Sequence, residues 1–579
     1  MYKILAKSIR QYKKASFMAS FYVVLEVIIE CIIPFILANL VNNIRDGAEM
    51  NILLRDGMVL VLMAGLSLAF GLLSGRRAAS ASAGFSKNLR YDIFNRVQEF
   101  SFENIDSFSN SSLLTRLTTD VTNVQNAYMM IIRALIRSPF MFVFAFVMSF
   151  VMGGNLAFIF VMVVPVLVIG LLLIILTAWK IFSKIFRKYD TLNNVVQENI
   201  KAIRLVKSLV REDFEIEKFD KISSEVKEDF TKAEKILAFN GPLMQFCLYM
   251  DTVLILFFGA YVIINKFDPN FNVGQLSALL TYSFMILSSL MMFSMILVMI
   301  TLAMESAKRI AEVLECKSTI GDDNVSFNEI NSGTVEFKNV CFKYSNDAKE
   351  NVINDVSFYI PSGSVVGIIG ATGSGKSTLV QLIPRLYDIQ SGEILIDGKD
   401  IKSLPLRLLR DEVGMVLQKN TLFSGSVRDN LKWGNKFATD KELDVVCEIA
   451  QAKEIVDKLP DGYDTFIEQG GANLSGGQKQ RMCIARALLK KPKILIFDDS
   501  TSAVDTKTDE LIRRGLQSYM PDTTKIIIAQ RILSVQNADI ILVIDKGQIV
   551  EKGTHKTLIS QGGVYRDLYL TQGGKTDEE

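Results

Sequence analysis

Residues 370 to 377 read Gly-Ala-Thr-Gly-Ser-Gly-Lys-Ser, two glycines spaced around four residues and followed by a cation and a hydroxyl. That spacing lets successive backbone N–H groups converge on phosphate oxygens, and a helix starting there adds positive potential. Lys376 then reaches the terminal phosphates and Ser377 ligates Mg²⁺, with Gly370, Thr372, Gly373, Ser374, Gly375 and Thr378 completing the cradle. The apolar run Ile494-Leu-Ile-Phe ends in Asp498, an acid placed to hold Mg²⁺ through water, and Asp499 follows it. A third run, Ile526-Ile-Ile-Ala, ends in Gln530. Ligands of an open parallel sheet lie beyond the carboxyl ends of its strands, so Gln530 is aimed at the same ligand. These features predict a nucleoside triphosphate site.

Such a site needs strands to aim it and helices to cover them. From about Ser332 onward, β-branched runs alternate with amphipathic helices and glycine turns, the pattern of an α/β domain. Before residue 305 the chain is different. It is far more apolar, within an overall composition of 49% hydrophobic and 22% charged residues. Six segments reach the roughly 20 apolar residues that a bilayer-crossing helix needs: about 15 to 41, 56 to 75, 127 to 151, 155 to 179, 240 to 264 and 273 to 304. The basic start (Lys3, Lys7, Arg10, Lys13, Lys14) places the amino terminus in the cytoplasm, and six crossings put the carboxyl half there too. The first apolar run is too long for a cleaved signal and should remain in the mature protein. Residues 76 to 126 and 180 to 239 are charged yet helically periodic, which predicts helices projecting well into the cytoplasm.

The expected organisation is a six-helix transmembrane domain over 1 to 304, a linker over 305 to 332, an α/β nucleotide-binding domain of the P-loop class over 333 to 570, and a polar tail over 571 to 579. A chain of 579 residues is too long for one core. Its six scattered cysteines show no paired spacing for zinc or a disulfide framework, and a net charge of +2 implies no nucleic-acid partner.

Between the phosphate loop and Asp498 lies Leu474-Ser475-Gly476-Gly477-Gln478. This pentapeptide matches the signature of ATP-binding cassette (ABC) proteins, and the chain resembles the ABC exporters over nearly its whole length. Leu89-Arg-Tyr-Asp-Ile-Phe and Leu114-Thr-Arg-Leu-Thr-Thr-Asp120 are similar to their first cytoplasmic loop. The resemblance implies that Tyr344 stacks on adenine, that Gln418 sits near Mg²⁺, and that Ser502-Ala-Val-Asp505 crosses the dimer. It implies ATP and Mg²⁺ as cofactors and a plasma-membrane protein among lipids, carrying a small-molecule substrate. It further implies two cassettes packed head to tail, each ATP lying between one phosphate loop and the other signature. Ser475, Gly476 and Gly477 open a helix, so their N–H groups suit a partner's γ-phosphate.

Two positions depart from the family pattern. After the Mg²⁺ aspartate the family has glutamate, where this chain has Asp499; at the end of the later strand it has histidine, where this chain has Gln530. The one histidine, His555, lies beyond that strand. Aspartate is one methylene short of where the attacking water must be held, and glutamine cannot become cationic. The pair resembles the degenerate site of heterodimeric ABC exporters and predicts a second, non-identical half-transporter as partner.

In the spans, Glu26 and Glu30 share a helix face, Asp251 lies in the fifth span and Met292 in a methionine-rich sixth. Ionisable residues there face a cavity or a partner. The acids suggest attraction of cationic drugs, against which stands neutralisation by Arg133 and Arg137. A lipid, peptide or haem exporter and an ATP-gated channel or regulator are the rival functions.

Overall fold

The structure, a computed structural model, describes the chain except residues 270, 323–324, 346–347, 500–504 and 573–579. Two compact units divide it: Met1–Gln98 with Ser109–Cys316, and Glu99–Phe108 with Lys317–Glu579.

In the second unit a six-stranded sheet runs in the order Gln548–Gly553, Ile540–Asp545, Val365–Ile369, Thr524–Ile528, Ile494–Asp498, Val413–Val416. All neighbours pair in parallel except the first two. Thr524–Ile528 and Ile494–Asp498 are buried throughout, and their segments Ile526 to Ile528 and Ile494 to Phe497 accordingly read as unbroken apolar runs. Their residues still alternate. Ile494, Ile496, Ile526 and Ile528 pack with Phe337 and Phe358 of a four-stranded antiparallel sheet, whereas Leu495, Phe497 and Ile527 pack towards Leu474 and Met482 on the helical side. The short helix Phe102–Ser107, capped by Ser101, clusters with this unit. Tyr387 donates its hydroxyl to Asp106 at 2.7 Å and meets the Phe102 ring edge-on.

The first unit is helical. Among the described residues five stretches are long and apolar enough to cross a membrane: Arg10–Arg45, Met50–Gln98, Ser111–Ala178, Glu212–Ile264 and Val273–Glu315. The third is bent at Gly154, whose φ of 49° opens a 3-10 turn between Ile136–Gly153 and Phe158–Ser208. The expected segments 127 to 151 and 155 to 179 are thus two arms of one stretch. Phe158–Ser208 has 51 residues, about 75 Å of helix against a hydrocarbon core of about 30 Å, so it continues well past a bilayer. Lys188 bridges it to Asp229 and Glu225 of the returning helix at 3.0 and 3.1 Å. The last helix runs unbroken to Glu315, so the boundary expected at 304 falls inside it. Residues past 304 keep the helical period and a fixed partner: buried Asp120 accepts from Arg309 Nε and Ser306 Oγ, each at 2.8 Å.

Within the spans, Arg137 donates to Glu26 Oε1 at 2.6 Å and to Glu30 Oε2 at 2.7 Å. Asp251 is wholly buried and takes the hydroxyl of Ser283. Arg137→Leu strands two carboxylates in an apolar setting and should lower stability by about 3 kcal/mol. Combining it with Glu26→Gln and Glu30→Gln should recover most of the loss, read as unfolding midpoints of the purified protein in detergent.

Candidate active site

Parallel register brings the chemistry to one edge. Ile528 pairs with Asp498 on one side and Ile368 on the other, and Val416 pairs with Phe497. The chain therefore leaves four adjacent strands at one level, into the Gly370 loop, Gln530, Asp499 and Gln418. At Gly370 the backbone passes so close to its neighbour that an added Cβ would lie 2.1 Å from the Ile544 carbonyl oxygen. The loop ends where the helix Lys376–Leu382 begins.

Lys376 Nζ donates to the carbonyls of Gly370 and Ala371 at 2.9 and 2.7 Å, which holds the ammonium over the loop. Burial lowers its pKa, opposed by the charges of Asp499 and Asp498. Ser377 Oγ donates to Asp498 Oδ1 at 2.7 Å, and the buried Ser374 Oγ has no hydrogen-bond partner among the described residues. Burial pushes Asp498 above the usual carboxylate value, with the Ser377 bond acting against it. A hydroxyl and a carboxylate side by side form an oxygen donor set suited to a hard divalent cation that keeps water and phosphate oxygens as its other ligands. Thr378 Oγ1 lies 2.9 Å from the Tyr344 hydroxyl, so the exposed Tyr344 ring is anchored beside the loop. The ring packs perpendicular to Tyr387, 5.1 Å between centroids.

The two unusual residues bind each other. Asp499 turns out of its strand with a φ of 49°, a conformation aspartate tolerates better than most. Its Oδ2 accepts from Gln530 Nε2 at 2.7 Å. Burial raises the Asp499 carboxyl, while the bonds from Gln530 and Gln418 and the charge of Lys376 pull it down. His555 is far from any such role: Nδ1 pairs with the Tyr565 hydroxyl at 2.8 Å and the ring lies against Tyr565 and Tyr569.

Ser475 caps the helix Gly476–Leu489 in a reciprocal pair with Gln478, the Ser475 hydroxyl accepting from Gln478 N–H and Gln478 Oε1 from Ser475 N–H. Gly476 is exposed, and space for a Cβ is open around it. No hydrogen bond joins these residues to the sheet edge among the described residues. Ser502, Ala503 and Val504 lie outside the described residues. Asp505 caps the helix Thr506–Tyr519 through Thr508 N–H.

Two contributors escaped the sequence reading. Tyr387 carries no motif and is recognised only by its ring contacts. Gln572 donates to the Gln530 carbonyl and accepts from Ile532 N–H, each at 2.9 Å, clamping the backbone that bears Gln530. Of the four membrane residues singled out, Met292 lines a cavity, whereas Glu26 and Glu30 are engaged by Arg137 and Asp251 is sealed. Stacking on a base contributes about 1–3 kcal/mol, so Tyr344→Leu should weaken ATP binding about tenfold and Tyr344→Phe far less, measured by displacement of a fluorescent nucleotide.

Residues 16–291 match the family described as ABC transporter transmembrane region, and residues 353–502 match the family described as ABC transporter. The uncharacterized ABC transporter ATP-binding protein YfiB of Bacillus subtilis (strain 168) is 37% identical over 523 residues, 90% of this chain and 90% of that protein. An ATP-dependent lipid A-core flippase of Pseudomonas aeruginosa is 32% identical over 496 residues, 85% and 80% of the two chains. The structure of a bacterial Atm1-family ABC exporter with ATP bound superposes with a TM-score of 0.85 at 24% identity, covering 97% of this chain and 100% of that one, which shows a common fold. With a membrane region and an ATP-hydrolysing cassette fused in one polypeptide of the plasma membrane, the chain belongs to the ABC transporters and is built as an exporter.

Proposed function

We propose that this chain is the slowly hydrolysing half of a heterodimeric exporter of amphipathic compounds. The observation that carries this reading is the 2.7 Å bond from Gln530 Nε2 to Asp499 Oδ2. The carboxylate at the water-polarising position is both short and tied to a neutral amide. A nucleophilic water displaced by about an ångström from its productive geometry costs on the order of 100-fold in rate. Gln530 offers a phosphate oxygen a hydrogen bond without the positive charge that would strengthen as charge develops in the transition state. Binding is a separate matter. It rests on the Gly370 loop, Lys376 and Tyr344, all of which have the residue types that grip a triphosphate.

Ser377 and Asp498 would hold Mg²⁺ with Gln418 beside them, and the ion would neutralise charge between the β- and γ-phosphates. The intact Ser475 to Gln478 helix start is then available to a partner's nucleotide, so one chain supplies a signature and the other supplies the efficient base. Both carboxyl and amino termini face the cytoplasm in this reading, and cassette closure is passed to the spans by the helical extensions, shifting a bistable packing.

For the cargo, the acids that favoured cationic drugs are engaged by Arg137. A lipid-like substrate is the better reading, and a relative named as a lipid A-core flippase favours the same class. Asp499→Glu with Gln530→His should raise the ATPase rate of the complex at least tenfold with ATP affinity little changed. Turnover unaffected in that double variant, or rapid coupled hydrolysis by copies of this chain alone, would overturn the assignment.

A further inference from the structure

A cavity of about 990 Å³ lies within the membrane unit, its wall including Met130, Arg133, Arg137, Met292 and Met299. Arg133 and Arg137 thus share the wall with methionines and with Asn123 and Asn126, and among the described residues no carboxylate lines the space. The two cations are in different states. Arg137 is held by Glu26 and Glu30, neither of which lines the cavity among the described residues. Arg133 makes no hydrogen bond or ion pair among the described residues and is half-buried. It sits in the π-helical turn Ile131–Leu135, a rare widening of the helix that tends to occur at functional positions. Gly75 lies beside it, an added Cβ there meeting Arg133 Nη1 at 3.8 Å, an ordinary contact.

Glu26, Glu30, Arg133 and Arg137 together carry no net charge, which makes the group tolerable in an apolar setting. Their arrangement is not neutral towards a guest. Neither carboxylate lines the cavity, so among the described residues the charged part of its wall is the two arginines, and an anion is the strongest acceptor for the donors of Arg133. The unbranched, polarisable methionine side chains adapt to tails of varied shape.

We propose that this cavity binds an amphiphile with an anionic head, seated on Arg133 beside Arg137, and an apolar tail against Met130, Met292 and Met299. The inference rests on the reading of the chain as an exporter of amphipathic compounds and supplies the charge of that cargo. It reverses the polarity that Glu26 and Glu30 suggest when read without their partner.

The test uses the full-length protein in maltoside detergent without nucleotide, so that its outcome is independent of the Asp499 and Gln530 assignment. Thermal unfolding is followed against phosphatidylglycerol, dodecyl phosphate and dodecyltrimethylammonium. The anionic probes should raise the midpoint and the ammonium probe should not. Arg133→Gln should weaken the anion response about tenfold in probe concentration, and Arg133→Lys should largely preserve it. A response to phosphatidylglycerol alone identifies a lipid headgroup, and one to dodecyl phosphate alone a free amphiphile. Stronger stabilisation by the ammonium probe, no response to either anion, or an anion response undiminished in Arg133→Gln would overturn the proposal. If Arg133→Gln does not fold, the probe comparison on the unaltered protein and on Arg133→Lys still decides it.

Discussion

Parallel hydrogen bonding between Val365–Ile369, Thr524–Ile528, Ile494–Asp498 and Val413–Val416 is the constraint on which the catalytic half depends. A parallel register fixes where each strand ends relative to its neighbours. Here it delivers a glycine loop, an amide, two acids and a second amide to one edge from positions spread between residues 370 and 530. Burial on both faces makes that edge rigid, and close packing of Ile and Val below it leaves little room for a strand to slip. The site is therefore placed by backbone pairing, and side chains alter only what is done there.

That separation lets two strand-end residues differ from the family pattern while the architecture stays intact. Asp499 and Gln530 lie past the last paired residues, where no core contact selects their identity. A shorter acid draws the amide to itself, and each satisfies part of the other's hydrogen-bonding capacity. The Gly370 loop and the two later strand ends belong to different segments of the chain, brought together only by the sheet.

Much of this was legible in the residues alone. The phosphate loop, Asp498 and the paired strands follow from motif spacing and from continuous apolar runs, because both reflect local rules. The helical extensions were visible through their period. What sequence could not resolve was which charges meet. Glu26, Glu30, Arg133 and Arg137 could pair in several ways, and only the packing of the first and third spans shows both acids on Arg137. The end of the last membrane helix was misplaced because apolarity stops near residue 304 while the helix itself continues on the strength of contacts such as Arg309 with Asp120. Tyr387 and Gln572 were invisible for a related reason. Their importance lies in contacts distant along the chain, which no window of sequence contains.

Gln572 gives the far end of the cassette a mechanical meaning. Its amide grasps the main chain on both sides of Arg531, so the helix Val564–Thr571 acts as a splint on the segment that presents Gln530. Fusing a reporter or an affinity handle close behind that helix, or binding a protein there, would load the splint directly. The helix Val564–Thr571 thereby bears on the backbone from which Gln530 projects.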